Sequence, residues 1–336
     1  MSSSEDTTAA AASLYTIPPI DAEKTRLDGQ YAMKRTMMGW DAPVPPSIDV
    51  TRLKNVLEVG AGTCAWTLDL ASLPQIKPHL ATPGSTPGED AVHLSACDID
   101  TKFLPDKTVT DALGIRTFQH DLTVPFLPGM HRKFDLVRAG FLFLCLTEGG
   151  WTSALKNCWD VLKPGGMLLI DEADPVLYAD EADAPPEGGA SFNLEERMRV
   201  PGWLGSGNRI YTGFAVENGF LPNLTFRLPE MLHAAGFDVV DTRRVPAPIG
   251  SAWHRCSGVS ADDANKFANF SAVNVSFVFA HLSAALFAMG KLRHLDGTAI
   301  ATTKEMEETV HEIGEAFGRD GAFIFGRYCV GVKRDS

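Results

Sequence analysis

The densest piece of candidate chemistry in this 336-residue chain is Val56-Leu57-Glu58-Val59-Gly60-Ala61-Gly62-Thr63-Cys64. Glycines at a strand-to-helix turn let backbone approach a ligand where any Cβ would collide. Read alone, Gly60-x-Gly62-x-x-Ala65 also satisfies the dinucleotide fingerprint, and a tight turn without a ligand is the plainer account. Glu58, two residues before the first glycine, would repel a pyrophosphate and suits the cationic α-amino group of a methionine moiety. Asp98 closes the next apolar run, where an acid can accept hydrogen bonds from both ribose hydroxyls. Asp121 closes a third, placed for an adenine amino group, with Leu122 to pack on the ring. Each acid by itself could be a helix N-cap. Three at successive strand ends beside a glycine turn point to one ligand, at the edge where open α/β sheets bind.

The elements that must position these residues alternate. Strands are expected over 55–58, 93–97, 115–119, 134–137 and 167–171, with helices over 66–73 and 151–162. Pro164-Gly165-Gly166 stops the second helix. An insertion over 74–90, with four prolines, delays Asp98 beyond the usual spacing of about 20 residues. A helix over 21–38 with an Asp21 N-cap precedes this set. After it come a helix over 225–235, a strand over 237–243, helices over 266–293 and 303–317, and a last strand over 322–332. Strands separated by helices imply a sheet covered on both faces. The fold class is therefore α/β, a Rossmann-like, doubly wound, seven-stranded and mostly parallel sheet. It is expected to carry a helical N-terminal cap over 15–50 and a main domain over 51–336, with insertions at 174–224 and 250–318. The acidic, Pro- and Gly-rich stretch 174–207 reads as a lid.

Composition excludes some classes. A net charge of -12 argues against nucleic acid as a partner, which needs clustered Lys and Arg. No basic run suits an anionic membrane surface. The six cysteines show no CxxC pair and no metal-like spacing, so reduced thiols in an intracellular protein and no metal site are expected. Residues 1–13 lack a secretory signal pattern, and a disordered tail over 1–14 is the expectation. Residues 271–290 are apolar for the length of a membrane span but include Asn274, Ser276, His281 and Ser283. A buried helix, or one packing on a second copy or a protein partner, is the expected reading. The expected location is the cytoplasm, with the nucleus as the alternative.

Glu-Val-Gly-Ala-Gly-Thr, the Asp98 strand end, His120-Asp121, Phe134-Asp135-Leu136-Val137 and Val161-Leu162-Lys163-Pro164-Gly165-Gly166 together resemble the successive motifs of class I S-adenosylmethionine (SAM) dependent methyltransferases. The match runs in order over about residues 53–174, with Cys64 in place of a third motif glycine. Arg26-Leu27-Asp28-Gly29-Gln30-Tyr31, Arg138-Ala139-Gly140-Phe141, Ala235-Gly236-Phe237 and Pro248-Ile249-Gly250 are further similar to the fungal methyltransferases grouped around the secondary-metabolism regulator LaeA. The resemblance implies SAM as cofactor, with Tyr31, Glu58, Gly60, Ala61, Gly62, Asp98, Ile99, Asp121, Leu122 and Arg138 around it. It also implies a small-molecule, natural-product-like acceptor, methylated at O or N, or a regulatory role.

Methyl transfer from a sulfonium needs chiefly alignment and exclusion of water, with a base where an O–H or N–H must lose its proton. His120, near the cofactor edge, and His254 are candidates for that base, although a structural or surface role fits either. Substrate walls are expected from the N-terminal helix and the later insertions, with Trp203, Phe214, Phe220 and Trp253 as aromatic candidates. Two other readings stand beside transfer: a scaffold that keeps the fold for partner binding, and a SAM-binding enzyme recruited to another reaction.

Overall fold

The computed structural model describes residues 21–84, 88, 90–186 and 192–334; the 1–14 tail lies outside them. The chain opens on helix α1 (Asp21–Met38), with Asp21 and Glu23 in its first turn and Arg35 in its last, each complementing the helix dipole. Strands β1 (Asn55–Val59), β2 (His93–Asp98), β3 (Arg116–Gln119), β4 (Phe134–Gly140) and β5 (Leu162–Ala173) follow. Between them lie helices α2 (Ala65–Ser72), α3 (Lys107–Ala112) and α4 (Glu148–Val161).

Beyond β5 the chain forms α5 (Leu194–Met198), α6 (Trp203–Glu217), α7 (Leu224–Ala234) and β6 (Phe237–Ile249). It ends on α8 (Ala261–Ala288), α9 (Thr303–Arg319) and β7 (Ala322–Lys333). The strands make one sheet in the order β3-β2-β1-β4-β5-β7-β6. β1 to β5 run parallel, and β7 is antiparallel to both of its neighbours. This is the α/β, mostly parallel arrangement that the alternation implies. Strand order reverses between β1 and β4, and the carboxyl ends of those strands open a crevice at that switch point.

Side-chain alternation sorts the core onto two faces. Leu57, Val137 and Ile170 pack with Trp151 and Leu155 of α4. Their neighbours Val56, Leu136 and Leu169 pack on the other face with Trp66 and Leu70 of α2. Burying both faces leaves β1 almost continuously apolar, and the acid at its end is correspondingly conspicuous.

The later elements depart from expectation for physical reasons. β6 runs six residues past the expected end at 243, through Pro246 and Pro248. Among the described residues it is an edge strand with β7 as its only neighbour, so the missing proline N–H groups cost no ladder bond. The stretch 174–207 is not one lid. Val176, Leu177 and Tyr178 are buried, and Tyr178 and Phe323 exchange backbone hydrogen bonds of 2.8 Å in both directions. Its far end already belongs to α6.

Gly250, just after β6, has a φ of +61°, and a Cβ there would overlap the Phe317 carbonyl oxygen. Helix α8 begins on a Ser260 cap and is long and apolar enough to cross a bilayer by length and composition. It packs against α1, α6 and α9, with Phe267, Phe279 and Leu282 buried beside Ser271, Asn274 and Ser283. Ser271 donates to the Phe267 carbonyl and Asn274 accepts from Arg26, which satisfies two of these buried polar groups.

Candidate functional site

The glycine turn is held open from outside itself. Gly60 and Gly62 have φ of +61° and +52°. The Ala61 N–H donates to the Cys97 carbonyl at 3.0 Å, tying the turn to the end of β2. Asp98 completes the tether: its carboxylate accepts from the Gly62 N–H at 2.8 Å and from the Asp100 N–H at 3.0 Å. Burial pushes the Asp98 carboxyl above its usual range, and these backbone donors oppose the shift. Cys64, where a third glycine is usual, adopts the left-handed conformation itself at φ 58° and is fully buried. The turn therefore keeps its shape at the cost of local backbone strain.

The strand-end acids divide into two kinds. Asp121 binds locally, its Oδ1 accepting from the Thr123 N–H at 2.8 Å and the Thr123 hydroxyl at 2.7 Å. Ile99 and Leu122 flank the same edge, their carbonyls accepting from Gln119 and Asn157. Glu58 is occupied from within. It is 1% exposed, with one oxygen 2.8 Å from Arg138 Nη1 and the other accepting from the Thr67 hydroxyl at 2.5 Å. The amino group that the sequence reading places on Glu58 has an arginine in its position. Arg138, in turn, faces carboxylates, with its Nη2 3.3 Å from Asp171. Tyr31 is also drawn into the protein, donating to Asp69 of α2 at 2.6 Å.

Lys34 of α1 also pairs with Asp171, closing a buried chain of Lys34, Asp171, Arg138, Glu58 and Thr67 from the α1 side to the start of α2. Glu172 sits beside it and accepts from the Leu142 N–H at 2.9 Å. Burial, with a smaller push from Asp171, raises Glu172 to about 8, and burial lowers Lys34 to about 8. Between the ordinary carboxyl value of 4.5 and about 8, folded Glu172 holds a proton that the unfolded chain has released. Its contribution to stability therefore falls as pH rises through that window. Glu172→Gln is expected to flatten this slope, gaining on the order of 1–3 kcal/mol on wild type between pH 5 and 8. Urea unfolding at those two pH values checks it, and parallel slopes would rule it out.

A cavity of about 190 Å³ opens between α1, the end of β4, α6 and α8. Phe141, Phe143, Tyr211, Phe214, Met33 and Val278 supply its apolar wall, and Lys34 and Asn274 are polar groups on its lining. Phe141 has a φ of +60° directly after β4. The next residue, Leu142, lies 2.7 Å from where a Cβ on Gly60 would stand. Phe141 and Leu142 thus form the partition between the glycine turn and the cavity.

The structure brings the glycine turn, Asp98, Asp121 and Arg138 to the carboxyl edge of the sheet. His120 stacks on Phe126 with ring centroids 3.8 Å apart, and its Nε2 is buried without a hydrogen-bond partner among the described residues. Burial lowers its pKa, which suits a neutral ring. His254 is exposed in the turn after β6 and does not line the cavity, so it does not fit the base role. Of the aromatic candidates, Phe214 lines the cavity, and Trp203, Phe220 and Trp253 do not. Lys34, Asp171 and Glu172 escaped the sequence reading. The one signal available was the pair of acids at 171 and 172, closing an apolar strand after the Lys-Pro-Gly-Gly turn. Among the described residues no group of His, Cys, Asp and Glu could hold a metal ion, and all six cysteines are free.

No protein-family model matches the chain. It is similar to methyltransferase str3 of Strobilurus tenacellus, 28% identical over 177 residues, covering 53% of this chain and 55% of that protein. It is also similar to methyltransferase grgD of a Penicillium species, 27% identical over 170 residues, or 50% of this chain and 55% of that one. The chain thus spans about half the length of these curated relatives. Among solved structures, the [4+2]-cyclase SpnF shares 17% identity at a TM-score of 0.41, over 92% of this chain and 82% of its own.

Proposed function

We propose that this protein is a SAM-dependent methyltransferase acting on a small, natural-product-like acceptor at an O or N atom. The observation that carries the reading is the glycine turn braced by Asp98 at the switch point of the sheet. Among the described residues a Cβ at Gly62 would meet only Leu27, at 3.6 Å, so they leave room for a ligand against bare backbone. Asp98, Ile99, Asp121 and Leu122 would hold the ribose and adenine, and the glycine turn the methionine portion. When bound, the cofactor supplies an activated methyl group.

The chain's own residues align and enclose. Phe141 and Leu142 stand between the glycine turn and the cavity, and residues of α1 and α8 wall the cavity. Glu58 and Arg138 stiffen the turn from beneath. The named fungal relatives support methyl transfer as the activity, and the short motifs similar to the LaeA-like group support secondary metabolism as its setting.

Calorimetric titration with SAM and with S-adenosylhomocysteine tests the reading, and binding of both is expected. Binding of neither would overturn it and favour a scaffold that keeps the fold without the cofactor.

A further inference from the structure

Among the described residues Lys34 is the one cationic side chain that both lines the cavity and belongs to the charge chain under the glycine turn. Its residue is 8% exposed, and its Nζ stands 5.0 Å from the centroid of the Phe141 ring, at the partition itself. The titratable groups that act on it are Asp171 and Glu172 from β5 and Arg138 from β4, and Arg26 of α1, held by Glu23 and Asn274, lines the same cavity. From α8 and α6 the cavity presents only uncharged polar groups, Ser271, Asn274 and Tyr211. A flat apolar body fits the aromatic and methionine walls, and any oxygen it carries toward the partition meets the Lys34 amine.

The geometry points to Lys34 as the catalytic residue of the acceptor side: it takes the proton from the hydroxyl of a phenolic acceptor and holds the oxyanion beside Phe141. This rests on the methyl-transfer reading above. In the step, the acceptor O–H bond breaks and its proton moves to the neutral amine, which becomes an ammonium. The oxygen keeps the bonding pair and becomes the nucleophile. Burial brings Lys34 to about 8, so near neutral and mildly alkaline pH a fraction of the amine is free to accept. A phenol, with a pKa of about 10, lies close enough for this transfer, whereas an aliphatic alcohol is far too weak an acid. Asp171 keeps the ammonium stable once formed, and Arg138 limits how strongly it does so.

The test uses 4-nitrophenol, whose phenolate has its own visible absorbance, with the full-length protein and S-adenosylhomocysteine. In the wild type, binding is expected to raise the phenolate fraction, lowering the probe's protonation midpoint by about one pH unit, a tenfold shift. Lys34→Met should lose that shift. Lys34→Arg, which stays protonated, should keep the oxyanion's partner and the shift but cannot take the proton. Methyl transfer to a phenol near neutral pH should therefore fall in both variants, and full transfer in Lys34→Arg would overturn the base role. Thermal unfolding and calorimetric binding of S-adenosylhomocysteine, retained in both variants even where the lost Lys34–Asp171 pair weakens it, report that they fold. No phenolate signal in the wild type, or a shift that survives in Lys34→Met, overturns the assignment. A Lys34-dependent shift with no S-adenosylhomocysteine binding would uphold Lys34 as the oxyanion's partner and sink the cofactor reading instead.

Discussion

Asp98→Ala is expected to weaken S-adenosylhomocysteine binding by about 10- to 100-fold while the protein stays folded. The carboxylate accepts from the Gly62 and Asp100 N–H groups, so its loss releases both the glycine turn and the loop after β2. Hydrogen bonds to a charged group contribute about 1.5–3 kcal/mol each, and 1.4 kcal/mol is tenfold in affinity. The ribose would lose its acceptor in the same substitution. Asp98→Asn, which keeps one acceptor oxygen, should fall between wild type and alanine. Calorimetry on the three proteins checks the ranking; equal affinities would remove Asp98, and with it the turn, from the cofactor site.

Arg138→Met is expected to act on the fold. Glu58 and Asp171 are 1% and 6% exposed, and Arg138 is their shared counter-charge. Removing one partner of a buried pair costs about 3–5 kcal/mol, because the remaining charge stays desolvated. Asp171 would retain Lys34, but Glu58 would be left with Thr67. For a domain of this size such a loss lowers the melting temperature by roughly 4–7 °C. Glu58 is already pushed upward by burial, with Arg138 the strongest opposing influence, so the variant should also hold a proton there to higher pH. A melting temperature within about 2 °C of wild type would show that the chain from Lys34 to Thr67 does not carry the stability assigned to it.

The two substitutions separate roles that look alike in the sequence. Glu58 and Asp98 are both acids closing apolar strands beside glycines, and both read as ligands. In the fold, one faces the turn and the other is sealed under it with an arginine. The difference lies in register: Glu58 is directly opposite Arg138 on β4. No spacing within either segment reveals that pairing, since 80 residues separate the two.

What the sequence by itself determined was the local and periodic part of the protein. The apolar runs of β1, β2 and β4, the glycines that need positive φ, and the acids at the strand ends follow from short-range sterics and burial on both faces. Tertiary structure decided everything that depends on what packs from elsewhere. Pro246 and Pro248 look like the end of a strand until β6 is seen to be an edge. The glycines at the end of the 174–207 stretch fall in α6, where Gly205 lets the helix approach the Val200 carbonyl and Gly207 lets it approach Leu177. Lys34 looks like one more surface lysine of a polar helix. Only the docking of α1 over β5 buries its amine beside Asp171, because desolvation and charge pairing are properties of the neighbours and not of the residue.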